Sequence, residues 1–482
     1  MTSPVVDGAP GTGRARRVAE ALGLATPFLL WAVFVVTPVW FQTAQLCFAH
    51  YDLGIYTQAL ARMSLDDPNP WLSARQVRIF NDHFDPILWL AKPLVPVLSA
   101  MWAAVVTETL LVLLSTVPIL WLHARGQLDR LSTTLLCAFL LLSPATTDAV
   151  KFAIHPTTWT MLPFVLLGIA YHFRKTALLF VSLVLLFACK EEFPFVGLML
   201  AVALWLRGDR RLAVGVAVLA VAWLGFVNVV RPAWMGPVED YGARLKRGLD
   251  AGLLSYVAER LAPKHLSRIG TLAVLVLPVG IWAWRERLKP DWAWFLVLLP
   301  MLGIRFLGMA WRHQYGAPLS VAVAVGLLPL LLARRPPVWV VVATGLLLVT
   351  TNETSLKKLV PTLVARASNP PICPADPSRL ASVHRAVDVL AANPEGRVLL
   401  NGNLISPLAA RDEVYAVGGP QPPGKWTYDW VLVEKPPLGN GEPATPEAIQ
   451  ALITRWRAQE GTEVLIDDAY VFLARGRFSD AL

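Results

Sequence analysis

Apolar runs follow one another along most of this chain, parted by short polar connectors that carry clusters of arginine and lysine. The first spans 21–41, and others fall near 101–122, 131–147, 157–172, 176–190, 193–206, 212–230, 268–284, 291–310, 316–333 and 337–351. Roughly twenty apolar residues cross a bilayer as a helix, so the pattern predicts a polytopic α-helical membrane protein with about eleven transmembrane helices. The first run exceeds a signal-peptide core and no small-residue cleavage site follows it, so it reads as a retained helix. The 86–100 stretch, broken by Pro86, Pro93 and Pro96, suits a re-entrant or interfacial segment, and the short 176–206 pair suits tilted or half-inserted helices.

From residue 352 the pattern changes. A helix near 376–392, strands at 397–400, 413–417 and 429–434, a helix at 445–460 and a strand near 463–474 predict a small α/β domain. Asn369-Pro370-Pro371 reads as the linker into it. The chain thus divides into a disordered tail (1–19), a multi-helix membrane domain (20–351) whose first outer loop is 42–100, and the α/β domain (352–482).

Composition supports this division. The 482 residues are 55% hydrophobic and 16% charged, against roughly 25% charged in soluble domains. The net charge of +9 comes from short clusters between apolar runs, as in cytoplasmic membrane loops, and implies no nucleic-acid partner. Placing the N-terminus in the cytoplasm puts most of these clusters inside, and an odd helix count then puts the α/β domain outside. The basic 231–267 loop is the exception, an outer loop able to meet lipid phosphates. Of the cysteines, Cys47 and Cys373 are the pair an oxidising compartment would allow, whereas Cys137 and Cys189 sit in apolar runs; none has metal-ligand spacing.

Candidate chemistry gathers after the first apolar run. Tyr51-Asp52-Leu53-Gly54 offers a carboxylate at the membrane edge, either a general base or metal ligand or a helix cap. Asp82-His83-Phe84-Asp85-Pro86 sets two carboxylates and an imidazole within four residues. With Asp52 it would suit Mg²⁺ or Mn²⁺, or hold sugar hydroxyls. Asp85 alternatively caps the helix begun by Pro86. His155-Pro156 opens a later run, and Lys190-Glu191-Glu192 is either a functional acidic pair or a solvated turn. Arg305, Arg312 and His313 are candidates for holding a phosphate, with snorkelling the duller role for Arg305.

In order and spacing these motifs resemble the bacterial membrane proteins grouped as domain of unknown function 2079, over most of residues 45–435. That family is placed with the C-type glycosyltransferase (GT-C) superfamily. The resemblance implies a GT-C-like many-helix scaffold in the bacterial plasma membrane. It also implies an acidic residue of the first outer loop at the reaction centre, matched here by Asp52, and a polyprenyl-phosphate sugar as donor. Lys190-Glu191-Glu192 stands where the family has Glu followed by Asp, leaving open which carboxylate matters.

The expectation is therefore an inverting membrane glycosyltransferase with Asp52 as base. Tyr51, Asp82, His83, Asp85, His155, Glu191 and Glu192 would line the sugar site, with Arg305, Arg312 and His313 at the phosphate. The acceptor would be an envelope glycan, lipid or protein. A transporter or lipid flippase, and a non-catalytic envelope scaffold, are the alternatives.

Overall fold

The structure, a computed structural model, describes residues 12–47, 51–152, 154–238, 250, 252, 263–307, 313–351, 376–420, 426–435 and 445–479. Most of the 231–267 loop, Arg312, Cys373 and the 369–371 linker lie outside them.

Among the described residues, four helices are long and apolar enough to cross a membrane: Leu22–Ala44, Pro86–Ala124, Arg130–Lys151 and Arg210–Met235. Six further apolar helices are shorter, including Thr176–Phe187, Pro194–Leu206 and Ala317–Ala333. The apolar runs of the sequence thus become helices, but many are too short to cross a bilayer unbroken, because prolines and polar turns interrupt them. Two expectations change. The helix containing Arg14, Arg16 and Arg17 begins at Thr12, so part of the presumed tail is helical. The 86–100 stretch is no separate re-entrant element: it passes through 3-10 turns, Pro86–Leu90 and Lys92–Leu94, into the Val95–Leu114 helix, which is broken at Ser99 with φ 67°.

The polar segment after the first helix folds against this bundle. It contains the Tyr51–Arg62 helix, a hairpin of β1 (Trp71–Leu72) and β2 (Val77–Arg78), and the short Ile79–Asp82 helix. Asn81 ties it to the end of the Arg210–Met235 span, donating to the carbonyls of Met235 at 3.0 Å and Pro237 at 2.8 Å. Phe84 packs among Phe80, Trp223 and Phe226, fixing the segment in the bundle by apolar burial.

The α/β unit has five strands, β3 (Val398–Leu400), β4 (Val414–Ala416), β5 (Tyr428–Glu434), β6 (Glu463–Asp467) and β7 (Val471–Phe478), in the order β4-β3-β5-β7-β6. β3 is parallel to β4 and β5, whereas β5, β7 and β6 run antiparallel. The single strand expected near 463–474 is a hairpin, turned at Asp468, whose carboxylate accepts from the N–H of Tyr470 and Val471. Alternation along β5 sends Trp430 and Leu432 to one core and Val431 and Val433 to the other. The Pro377–Ala392 helix covers the first face and the Pro446–Arg457 helix the second. Both faces being buried explains the nearly continuous apolar strands.

The first core does not end with the domain, since Leu46 and Ala74 of the polar segment belong to it. Ser73 Oγ accepts from the Val414 N–H at 3.0 Å, and Arg62 pairs with Asp412 at 2.9 Å. Gly54 permits the approach: a Cβ there would stand 2.8 Å from the Cβ of Ile405. Gly54→Ala sets a helix-propensity gain of about 1 kcal/mol against overpacking of roughly 1–3 kcal/mol. A net loss of about 1 kcal/mol follows, read as a lower melting temperature. Recovery in Gly54→Ala/Ile405→Ala would locate the clash; no recovery would place it elsewhere.

Candidate functional site

Residues from five separate stretches meet at a cavity of about 220 Å³ beside the Tyr51–Arg62 helix. Tyr51, Asp52 and Tyr56 come from that helix, Arg75, Asp82 and His83 from the segment after it. His155, Lys190, Gln314 and Tyr315 come from the ends of bundle helices. Of the residues singled out in the sequence, the structure brings Tyr51, Asp52, Asp82, His83 and His155 to this one cavity.

Asp52 stands in the first turn of its helix, with Oδ2 3.2 Å from His155 Nε2. The imidazole is buried, while the Asp52 side chain is 37% exposed toward the cavity. Local chemistry sets this geometry. Because Pro156 follows, His155 is held extended at φ −146°, ψ 130°, off the start of the next helix. Its N–H donates to Glu108 Oε2 at 2.9 Å. Phe152 stacks on the ring at 5.3 Å and Tyr56 meets it edge-on at 5.4 Å, leaving it little rotational freedom.

A second pair lies nearby. His83 Nδ1 is 3.0 Å from Glu191 Oε1, and Glu191 Oε2 accepts from the Phe84 N–H at 3.1 Å. Burial alone would raise the Glu191 carboxyl, but the His83 imidazole, its hydrogen bond and the Lys190 ammonium outweigh it and hold it down to about 2. Of the two adjacent carboxylates, Glu191 therefore acts on the site by orienting His83. Glu192 does not line the cavity.

Asp82 pairs with Arg75, Nε to Oδ2 at 3.0 Å. Tyr51 donates its hydroxyl to the Ala74 carbonyl, fixing the hairpin turn that presents Arg75. Lys190 is buried, with its ammonium 4.9 Å from the centre of the Tyr315 ring. Gln314 is buried beside them, its Oε1 without a hydrogen-bond partner among the described residues.

Asp85 is deeper, 1% exposed. It precedes the Pro86–Leu90 turn but makes no side-chain cap, and Oδ1 lacks a partner among the described residues, so the capping role does not apply. Burial, then repulsion from Glu191, pushes its carboxyl well above the ordinary range against the pull of Lys190. The folded state thus binds this proton more tightly than the unfolded chain. Its contribution to stability is fully present below the unfolded value near 3.8 and declines as pH rises toward the raised folded value. Asp85→Asn should therefore raise the melting temperature more at pH 8 than at pH 5. An equal change at both would mean that the folded Asp85 carboxyl is already ionised at pH 5 and is not raised.

The residues do not fit the divalent ion that sequence allowed. Asp52 faces His155, Asp82 faces Arg75 and His83 faces Glu191, and no group of three metal-ligating side chains converges among the described residues. The backbone of Arg305 lies in the Leu298–Leu307 helix and that of His313 in the His313–Tyr315 turn, but their side chains, like Arg312, lie outside the described residues. Cys47 is disulfide-bonded and Cys137 and Cys189 are free; the expected partner, Cys373, also lies outside.

Sequence reading gave no role of their own to Arg75, Glu108, Lys190, Gln314 or Tyr315, although Lys190 stood within a candidate motif. Glu108 carried a usable signal, a lone carboxylate inside an apolar run. Arg75 carried none.

No curated protein and no solved structure matches the chain. A family model described as "Predicted membrane protein (DUF2079)" matches residues 42–463, which takes in every residue of the cavity and most of the α/β unit. The apolar helices agree with that description, and the chain is a membrane protein belonging to the domain of unknown function 2079 family.

Proposed function

We propose that the protein is an integral-membrane glycosyltransferase of GT-C type, with about eleven crossings and its cavity on the outer face, taking a polyprenyl-phosphate sugar as donor. The observation that carries this reading is the Asp52–His155 pair, 3.2 Å apart at a cavity that also holds the cations Arg75 and Lys190. At about 220 Å³ the cavity is smaller than sites for drug-sized ligands. Those run to roughly 300–1,000 Å³, so the size suits a single sugar ring.

In the proposed reaction, an acceptor hydroxyl oxygen attacks the anomeric carbon as the bond from that carbon to the phosphate oxygen breaks. The polyprenyl phosphate leaves with the electron pair, and the hydroxyl proton passes to the Asp52 carboxylate. His155 Nε2–H fixes the carboxylate in place. Lys190 and Arg75 neutralise charge on the departing phosphate, because fixed positive partners lower the barrier most where negative charge develops. His83, held by Glu191, orients sugar hydroxyls. A single displacement inverts the anomeric configuration.

The α/β unit sits on the same end of the bundle as the cavity, through Gly54, Ser73 and Arg62, and is positioned to present the acceptor. The test is transfer of labelled sugar from a polyprenyl-phosphate donor to a membrane extract by the purified full chain. Labelled product is expected. Release of intact donor on the far side of a vesicle, without transfer, would favour the flippase reading.

A further inference from the structure

A second cavity lies at the other end of the bundle. The Met161–His172 and Pro194–Leu206 helices run away from His155 and Lys190. With the Pro156–Trp159 turn that precedes it, the first of them spans about 25 Å. The turns that follow them, 173–175 and 207–209, enclose a cavity of about 490 Å³. Arg174, Arg210 and Arg211 line it, above a floor of Leu179, Leu204 and Leu212.

We propose that this cavity binds the phosphate of an anionic phospholipid. Asp209 offsets one of the cations only weakly: it stands 4.0 Å from Arg174, whose side chain is 68% exposed. A positive excess remains. Two helices also begin at the cavity, Thr176–Phe187 and Arg210–Gly225, and neither has a side-chain cap on its first turn. Their N-terminal dipoles therefore add to the field of the guanidinium groups, an arrangement that favours phosphate.

The apolar surroundings select a lipid over a soluble phosphate. Val181 and Val184 on one of these helices and Val214, Val218 and Val221 on the other are exposed, forming apolar flanks that lead away from the arginines. Trp205, beside the cavity, is 51% exposed, and the Arg210 guanidinium lies 5.4 Å from its ring centre, a pairing suited to the headgroup level of a bilayer. A lipid phosphate among the arginines would lay its acyl chains along these valines. A soluble phosphate would leave them uncovered. Basic pockets between helices at one membrane face bind anionic headgroups on the same physical grounds.

The test is native mass spectrometry of the purified full chain in detergent, titrated with phosphatidylglycerol, phosphatidylcholine or inorganic phosphate. Selective retention of phosphatidylglycerol is expected, weakened about fivefold for each guanidinium removed and on the order of a hundredfold in Arg174→Gln/Arg210→Gln/Arg211→Gln. The corresponding triple lysine variant, which keeps the charge, should stay within a few-fold of the parent. If the triple glutamine variant does not fold, Arg211→Gln alone supplies the fivefold comparison. Equal retention of phosphatidylcholine, an unchanged affinity in the glutamine variants, or full displacement by inorganic phosphate would overturn the proposal.

Discussion

Asp52→Asn is expected to cut sugar transfer by on the order of 10²–10⁴-fold, the usual contribution of a positioned general base. The substitution keeps the shape of the side chain and its ability to meet His155, but removes the site that accepts the hydroxyl proton. Since Asp52 is 37% exposed and sits at the start of a helix, the melting temperature should move little. That contrast separates chemistry from folding. His155→Gln, which removes the imidazole but leaves the base, should cost less than Asp52→Asn. If Asp52→Asn transfers sugar at the parent rate, this carboxylate has no part in the reaction, whatever the rest of the cavity does.

The second large effect concerns the anchor of the α/β unit. Arg379 and Glu434 form an ion pair with side chains only 6% and 2% exposed. Arg379 also donates to the carbonyl of Gln45 at 2.8 Å and to that of Leu46, and Asn403 bridges Glu434 and the same Leu46 carbonyl. The cluster therefore grips the chain just ahead of the Tyr51–Arg62 helix. Glu434→Ala would strand a buried guanidinium, and removing one partner of such a pair costs roughly 3–5 kcal/mol. Undocking of the α/β unit should follow, seen as faster proteolysis between the two parts. Transfer should fall with it, because Asp52 lies six residues beyond the gripped carbonyl of Leu46. Glu434→Gln, still able to accept from Arg379 and Asn403, should lose much less. A docked, protease-resistant Glu434→Ala protein would show that the apolar core around Ile405 and Leu404 suffices.

Much of this was legible in the chain. The apolar runs became helices near their expected bounds, and the α/β unit appeared with its helices and strands in order. Tyr51-Asp52, Asp82-His83 and His155-Pro156 pointed to the cavity because a carboxylate or imidazole at a membrane edge is costly unless it has a partner or a use. The hairpin at 463–478 was read as one strand because its turn, at Asp468 to Tyr470, has no glycine or proline to announce it.

The amino-acid order by itself determined which stretches are apolar, where prolines break them, and which polar residues stand at their ends, since these follow from local composition and period. Only the tertiary structure decided the partners. It gave Asp52 to His155, His83 to Glu191 in preference to Glu192, and Asp82 to Arg75, and it brought Glu108 and Gln314 to the same place. Those choices span up to about 260 residues and depend on how helices of unequal length pack, a geometry no local pattern encodes.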